Sequence, residues 1–167
     1  PRLTADNRQL FINAALCHSL REIDEHGQRK LLGDPMEVAL AGMGRQVAGE
    51  LADHERLDEI PFDTERKRMS VLCTSPHGRM LYCKGAPETV LAACDFVRFD
   101  AGTAPLDLAA KTRLLAAQQQ MAEAGLRVLA FAHAVVSEGM PNGERGLTLS
   151  GLVGLEDPPR EEVPDAV

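Results

Sequence analysis

The chain has 167 residues, which fits one domain or one domain with a short extension. Its formal net charge of −7 argues against a nucleic-acid binder, because such a protein needs a basic face to displace counterions. The four cysteines form no CxxC pair and no histidine pair has zinc-finger spacing, so a metal site is not expected. We expect the cysteines to be reduced thiols in a cytosolic setting. No apolar run reaches the roughly 20 residues that cross a bilayer, so the sequence predicts no direct membrane contact.

Two helices are predicted in the first third of the chain. Residues 6–20 carry apolar side chains at helical spacing. A second helix begins after Asp34, which suits the N-cap, with Pro35 at the first helical position. Glu37 stands at the third position, where its carboxylate can reach back to the cap. This helix is predicted to run to about residue 52.

The rest of the chain mixes short strands with helices. Strands are predicted over 57–62, 68–74, 79–84, 95–99, 126–136 and 148–155. Helices are predicted over 87–93 and 106–124, and loops over 75–78, 101–105 and 141–143. A hairpin joined to other strands and mixed with helices predicts an α+β fold, a largely antiparallel β-sheet flanked by helices.

The common nucleotide-binding motifs are absent. The sequence contains no GxxxxGK[ST], and no GxGxxG follows a predicted strand. If the protein binds a nucleotide, the affinity must therefore come from stacking and from point charges. A DxDx[TV] nucleophile loop is also absent, which argues against a haloacid-dehalogenase type of hydrolase.

Two segments in the first half offer candidate binding residues, each with a structural alternative. Glu37 either completes the helix cap or accepts a hydrogen bond from an adenine amino group. Phe62, at the end of a predicted strand, is either a core residue or a platform that stacks on a purine ring. The basic run from Arg66 to Arg68 is either a solvated strand end or a local anion site, in which Lys67 or its neighbours reach phosphates.

Two later segments add further candidates. Lys84 ends a predicted strand and is either solvent-exposed or close to a bound base or phosphate. Gly85 and Ala86 would let a ligand approach the backbone. Arg127 lies in an otherwise apolar strand, which is costly unless the side chain is paired or at the rim. A phosphate and a nearby carboxylate are equal alternatives as its partner.

Together these segments resemble one family. GDPxE at residues 33–37, FxxxRKRMSV at 62–71, KGAPE at 84–88 and GLRVLA at 125–130 are similar to the nucleotide-binding domain of type II P-type cation-transporting ATPases. Residues 151–160 resemble the segment where that family's chain returns to the phosphorylation domain. The resemblance implies a nucleotide-binding domain over 1–155 and the start of a hinge over 156–167.

The resemblance also implies a role for each candidate. Phe62 stacks on adenine and Glu37 contacts the adenine amino group. The remaining ATP-binding residues are Lys67 and Lys84 in the pocket, Gly85 and Ala86 as its floor, Met69 and Leu129 as apolar walls, and Arg127 toward the phosphates. Asp157 and Arg160 belong to the hinge. No catalytic residue and no metal ligand is implied within these residues.

The sequence departs from the family at two positions and lacks several of its motifs. Thr64 stands where calcium pumps have arginine, and Met36 stands where many relatives have threonine. No Ser-Glu-His-Pro-like signature is present, so copper and zinc are not expected as the transported ion. The phosphorylated Asp of DKTGTLT is also absent.

The implied function is to bind ATP and present it to the phosphorylation domain. The expected partners are ATP, with Mg²⁺ in the full-length protein, and the phosphorylation and actuator domains of the same parent chain. The expected location is the cytosolic side of an integral protein of the cell membrane, and the fragment alone is not expected to be catalytic. The alternative is a regulatory or interaction module that no longer binds nucleotide.

Overall fold

A computed structural model describes residues 7–25, 28–99, 102–137 and 144–156. Within them the helices are α1 (Arg8–Leu16), α2 (Pro35–Ala48), α3 (Pro87–Ala93) and α4 (Leu108–Glu123). The strands are β1 (Arg21–Glu25), β2 (Gln28–Leu32), β3 (Arg56–Asp63), β4 (Arg68–Ser75), β5 (Gly78–Gly85), β6 (Cys94–Phe99), β7 (Gly102–Pro105), β8 (Arg127–Val136) and β9 (Leu147–Leu155). None of these helices is long and apolar enough to span a membrane.

The main sheet confirms the predicted α+β class. Its seven strands lie in the order β3-β4-β5-β8-β9-β6-β7. Neighbouring strands run antiparallel, except that β6 and β9 run parallel, so the sheet is mixed. The predicted 75–78 hairpin joins β4 to β5, with Ser75 opposite Gly78.

Two predictions about local structure were incomplete. Residues 102–105, predicted as a loop, form the edge strand β7. The hairpin of β1 and β2 was not predicted, because its first strand is charged and exposed along its whole length. The predicted loop 141–143 and the hinge residues Asp157 and Arg160 lie outside the described residues. The domain boundary after residue 155 therefore stays a prediction.

The helices cover both faces of the sheet. Helices α1 and α2 pack on the face formed by alternate residues such as Met69, Tyr82 and Phe131. Helices α3 and α4 pack on the opposite face, where Leu81 and Ala132 are fully buried. Because successive side chains of a strand point to opposite faces, one strand serves both layers.

Helices α1 and α2 pack closely at Gly44. A Cβ added to Gly44 would lie 2.5 Å from the backbone nitrogen of Ala15 and 2.7 Å from the carbonyl oxygen of Phe11. This approach brings the chain after α1 beside the beginning of α2, where both meet the cleft described below.

Candidate nucleotide-binding site

A cleft of about 290 Å³ opens on the sheet face that carries α1 and α2. Its lining comes from the chain after α1, the start of α2, the end of β3, and strands β4, β5 and β8. The lining residues are Ser19, Asp34, Met36, Glu37, Leu40, Phe62, Met69, Lys84, Gly85, Arg127 and Leu129. Seven of the nine predicted ATP-binding residues are among them; Lys67 and Ala86 are not.

An ion pair lies in the wall of this cleft. The Lys84 ammonium is 2.5 Å from Oε1 of Glu37, and the Lys84 side chain is only 7% exposed. The interpretation of Lys84 as a solvent-exposed strand end is therefore wrong. The pair joins the first turn of α2 to the end of β5 and presents a donor group and an acceptor group side by side.

The predicted cap of α2 is confirmed, but Glu37 does not complete it. Asp34 accepts hydrogen bonds from the backbone nitrogens of Met36 at 2.9 Å and Glu37 at 3.1 Å. The Glu37 side chain points into the cleft instead, toward Ser19 and Lys84. The capping role proposed for this carboxylate is therefore wrong.

Ser19 holds the second oxygen of Glu37. Its backbone nitrogen donates to Oε2 at 3.2 Å, and its hydroxyl donates to the same oxygen at 3.0 Å. Burial raises the pKa of the Glu37 carboxyl, but the hydrogen bonds and charge of Lys84 and the hydrogen bonds of Ser19 outweigh it, and the pKa is lowered. Glu37 is therefore an ionised acceptor at neutral pH.

Phe62 stands at the rim of the cleft. Its side chain is exposed, with 58% relative accessibility, so the core interpretation is wrong. Met69 is buried in the adjacent wall and Leu129 is half-buried there. The cleft thus combines an accessible aromatic ring with apolar walls, the surfaces that a flat heterocycle contacts.

Gly85 lines the cleft and also lies close to the neighbouring strand. An added Cβ would lie 2.4 Å from the carbonyl oxygen of Lys67 and 2.4 Å from Cβ of Arg68. The space is therefore filled by the neighbouring strand β4 and the turn before it. Glycine at this position permits a close approach of two strands.

Lys67 and Ala86 lie beside the cleft. Lys67 has a left-handed backbone, with φ of 51°, and its exposed ammonium is 3.8 Å from a carboxylate oxygen of Glu88. Its carbonyl oxygen accepts a hydrogen bond from the backbone nitrogen of Ala86 at 2.9 Å. Contacts of these two residues with a nucleotide stay predictions.

The neighbours of Lys67 are already paired. Arg66 and Arg68 both bind the buried carboxylate of Glu144, so the anion that they hold belongs to the protein. Arg127, by contrast, is exposed at the start of β8 and forms no ion pair with any carboxylate in the described part of the chain. Of the two partners predicted for Arg127, the carboxylate finds no support there.

Sequence reasoning missed some of the lining. Ser19 and Leu40 gave no signal, because each depends on how α1 and α2 pack together. Asp34 was noticed only as the helix cap, and Met36 only as a departure from the family. Glu144 gave no signal either, since its partners are about 75 residues earlier in the sequence.

Comparison with known proteins shows the family of the chain. Residues 6–162 match the family described as P-type ATPase, cytoplasmic domain N, and the chain belongs to that family. "Calcium-transporting ATPase 1" of Lactococcus lactis subsp. lactis is 32% identical over 99% of this chain. "Calcium-transporting ATPase 1" of Bacillus cereus is 33% identical over 96% of it. "Putative calcium-transporting ATPase 7, plasma membrane-type" of Arabidopsis thaliana is 33% identical over 87%.

The chain corresponds to a small part of these relatives. The match covers 20% of the Lactococcus protein, 18% of the Bacillus protein and 15% of the Arabidopsis protein. The chain therefore spans a fifth or less of the length of these relatives.

Proposed function

We propose that this domain binds ATP in the cleft and presents it to the phosphorylation domain of a cation-transporting P-type ATPase. One observation supports this most: seven of the nine residues predicted from four separate segments line a single cleft. Ligand pockets usually measure about 300–1,000 Å³. A cleft of about 290 Å³ suits the base of a nucleotide, with the triphosphate extending toward the open rim and Arg127.

The ion pair gives a chemical reason for a preference for adenine. Adenine offers a donor, its amino group, next to a ring-nitrogen acceptor. Glu37 can accept from the amino group while Lys84 donates to the ring nitrogen. Guanine carries an acceptor oxygen where adenine carries the amino group, so it would place an acceptor against the Glu37 carboxylate. Phe62 supplies the stacking surface for either base.

The parent protein is proposed to hydrolyse ATP and transport a cation. In this proposal Mg²⁺ acts in the full-length protein, and the phosphorylation and actuator domains are partners in the same chain. The parent would be an integral protein of the cell membrane with this domain on the cytosolic side. The names of the relatives make Ca²⁺ the first cation to test.

The direct test is a titration of the ¹⁵N-labelled domain with ATP and with GTP, followed by backbone NMR. With no glycine-rich phosphate loop, we expect a dissociation constant on the order of 0.1 to several mM for ATP, roughly −3 to −5.5 kcal/mol, and weaker binding of GTP. Shifts should centre on Glu37, Phe62 and Lys84. No shifts at about 10 mM ATP would favour the alternative, a module that no longer binds nucleotide.

A further inference from the structure

A buried carboxylate, that of Glu144, is bound by Arg66 in the turn that follows Phe62 and the end of β3. The Glu144 side chain is only 2% exposed, and both of its oxygens are occupied. Oε1 accepts from the Ser70 hydroxyl at 2.6 Å. Oε2 accepts from Nη1 of Arg66 at 2.7 Å and from Nε of Arg68.

This cluster lies outside the cleft. Ser70 points to the opposite face of β4 from its neighbour Met69, because side chains alternate along a strand. Glu144 is not among the residues that line the cleft. Any effect of Glu144 on a ligand there must therefore pass through another residue.

The link runs through Arg66 to the backbone next to Phe62. While Nη1 of Arg66 binds Glu144, Nη2 of the same guanidinium donates to the carbonyl oxygen of Pro61 at 2.6 Å. The Phe62 ring is more than half exposed, so side-chain packing contributes little to its orientation. The backbone at the end of β3 must supply most of that orientation.

The pairing of β3 with β4 is interrupted at Pro61 and Phe62. The β3–β4 register is regular from Asp58 to Ile60, which lies opposite Ser70, and resumes at Asp63, opposite Arg68. Between these pairs, Pro61 and Phe62 on β3 face only one residue of β4. Such a bulge re-aims a side chain and interrupts the ladder hydrogen bonds. The Arg66 guanidinium, fixed by Glu144, supplies a donor at this interruption.

We propose that Glu144 is a positioning residue for the Phe62 ring: it fixes Arg66, and Arg66 fixes the Pro61 carbonyl at the bulge from which the ring projects. For its effect on ATP binding, the inference rests on the proposed function. Buried ion pairs contribute little net stability but can specify one geometry among several. Here the specified geometry is that of the proposed stacking platform. A ring that is already ordered in the free protein adds no conformational-entropy cost to the free energy of binding.

The test compares Glu144→Gln with the control Glu65→Gln. Glu65 lies in the same turn, is exposed and uses only its backbone nitrogen in that turn. The measurements are heteronuclear NOEs of residues 62–66 without ligand and the ATP dissociation constant from shift titration, both well below the melting temperature. We expect Glu144→Gln to lower the NOEs and to weaken ATP binding about two- to tenfold, the range set by the cost of ordering one side chain. Glu65→Gln should change neither.

A second variant covers the case in which Glu144→Gln does not fold. Arg66→Met leaves Glu144 bound to Arg68 and Ser70. It removes the Arg66 guanidinium, with its bonds to Glu144, to the Pro61 carbonyl and, at 3.3 Å, to the Arg68 carbonyl, so it should reproduce both effects. Unchanged NOEs and unchanged ATP affinity in the folded variants would overturn the inference. Phe62→Ala separates the two hypotheses: if it leaves ATP affinity unchanged, the stacking role fails, while the NOEs still decide whether Glu144 orders the turn.

Discussion

Lys84 and Glu37, 47 residues apart in the sequence, meet in the wall of the cleft with 2.5 Å between Nζ and Oε1. Each lies on a different element, so the contact ties helix α2 to strand β5. The same two groups are the donor and acceptor proposed to recognise adenine. If that proposal holds, the pair couples the stability of the domain to its choice of nucleotide.

Glu37→Gln should affect both properties. The change leaves the buried Lys84 ammonium without a counter-charge, and we expect a loss of about 1–3 kcal/mol in the free energy of unfolding. ATP should bind more weakly, and the preference of the domain for ATP over GTP should become smaller. Chemical denaturation and paired ATP and GTP titrations measure the two effects. An unchanged nucleotide preference would leave Glu37 with a structural role alone.

The double variant E37Q/K84M is the matched control for stability. It removes both charges, so no ammonium remains buried without a partner, and part of the lost stability should return. Two paired side chains predict that the double variant loses less free energy of unfolding than the two single variants lose together. A loss equal to that sum, or larger, would show that the two side chains do not act as a pair. Nucleotide preference should stay lost, because neither recognition group remains.

Acid should destabilise the domain through two carboxylates. The pKa values of Glu37 and Glu144 are both lowered from 4.5 by their hydrogen-bond donors, against the opposing effect of burial. The folded state therefore binds protons less readily than the unfolded chain. The stability from this source is fully present above about pH 5 and is lost as the pH falls through the folded-state pKa values. Melting temperatures between pH 7 and pH 3 should fall steeply below pH 5.

Single substitutions identify the source of that acid sensitivity. Glu37→Gln and Glu144→Gln should each make the slope of melting temperature against pH shallower below pH 5. Glu50→Gln, at an exposed position outside both networks, should keep the original slope. Equal slopes in all three variants would show that the acid sensitivity arises elsewhere in the chain.

Gly85→Ala should be strongly destabilising although it adds one methyl group. Its Cβ would lie 2.4 Å from the Lys67 carbonyl oxygen, and the backbone there cannot move without opening the β4–β5 pair. Overpacking of this kind costs about 1–3 kcal/mol. Gly42→Ala is the control: nothing lies within 4 Å of its added Cβ in the interior of α2, so stability should rise by about 0.5–1 kcal/mol. Equal effects in thermal unfolding would contradict the close approach at Gly85.

Phe62→Ala should remove most ATP binding and leave the fold intact. The ring is 58% exposed, so little buried area is lost. Stacking of a base on an aromatic side chain is worth about 1–3 kcal/mol, which is a large share of the weak total binding energy. Phe99→Ala removes a similarly exposed ring, at 52%, outside the cleft lining and should leave the affinity unchanged. Shift titration measures both, and near-normal affinity in Phe62→Ala would place the adenine elsewhere.

Local signals in the sequence were sufficient for most of the fold. Pro87 at the start of α3 and the turn between Ser75 and Gly78 were located correctly, because each depends on backbone preferences of a few residues. Strand β1 was missed because strand prediction relies on apolar alternation, and Arg21–Glu25 is exposed throughout.

The residues of the site could be predicted from the sequence, but the contacts between their side chains could not. The segments around Glu37 and Lys84 could be recognised individually, yet nothing local indicates that these two side chains form an ion pair. Glu144 was missed for the same reason, since its role depends on Arg66 and Ser70 in a different part of the chain. Long-range pairing of charges is decided by the tertiary fold, which a single sequence does not display.

The final prediction is that the isolated domain binds ATP without turning it over. Phosphoryl transfer needs an in-line nucleophile, a metal that bridges the phosphates and charge stabilisation around the transferred group. Arg127 can supply part of the charge stabilisation. The carboxylates that line the cleft in the described residues are Asp34 and Glu37. Both already accept hydrogen bonds, Asp34 from the first turn of α2 and Glu37 from Ser19 and Lys84.

Neither carboxylate is therefore placed to attack a phosphate without breaking contacts that hold the cleft together. Catalysis in the parent is proposed to follow closure of this domain onto an acceptor on another domain. The test is incubation of the pure domain with Mg²⁺ and γ-labelled ATP, with Phe62→Ala as the control for contaminating ATPase. Phosphate release should be equal in the two samples, and no acid-stable phosphoprotein should form. Release above the control, or a labelled protein, would mean that these 167 residues carry their own active site.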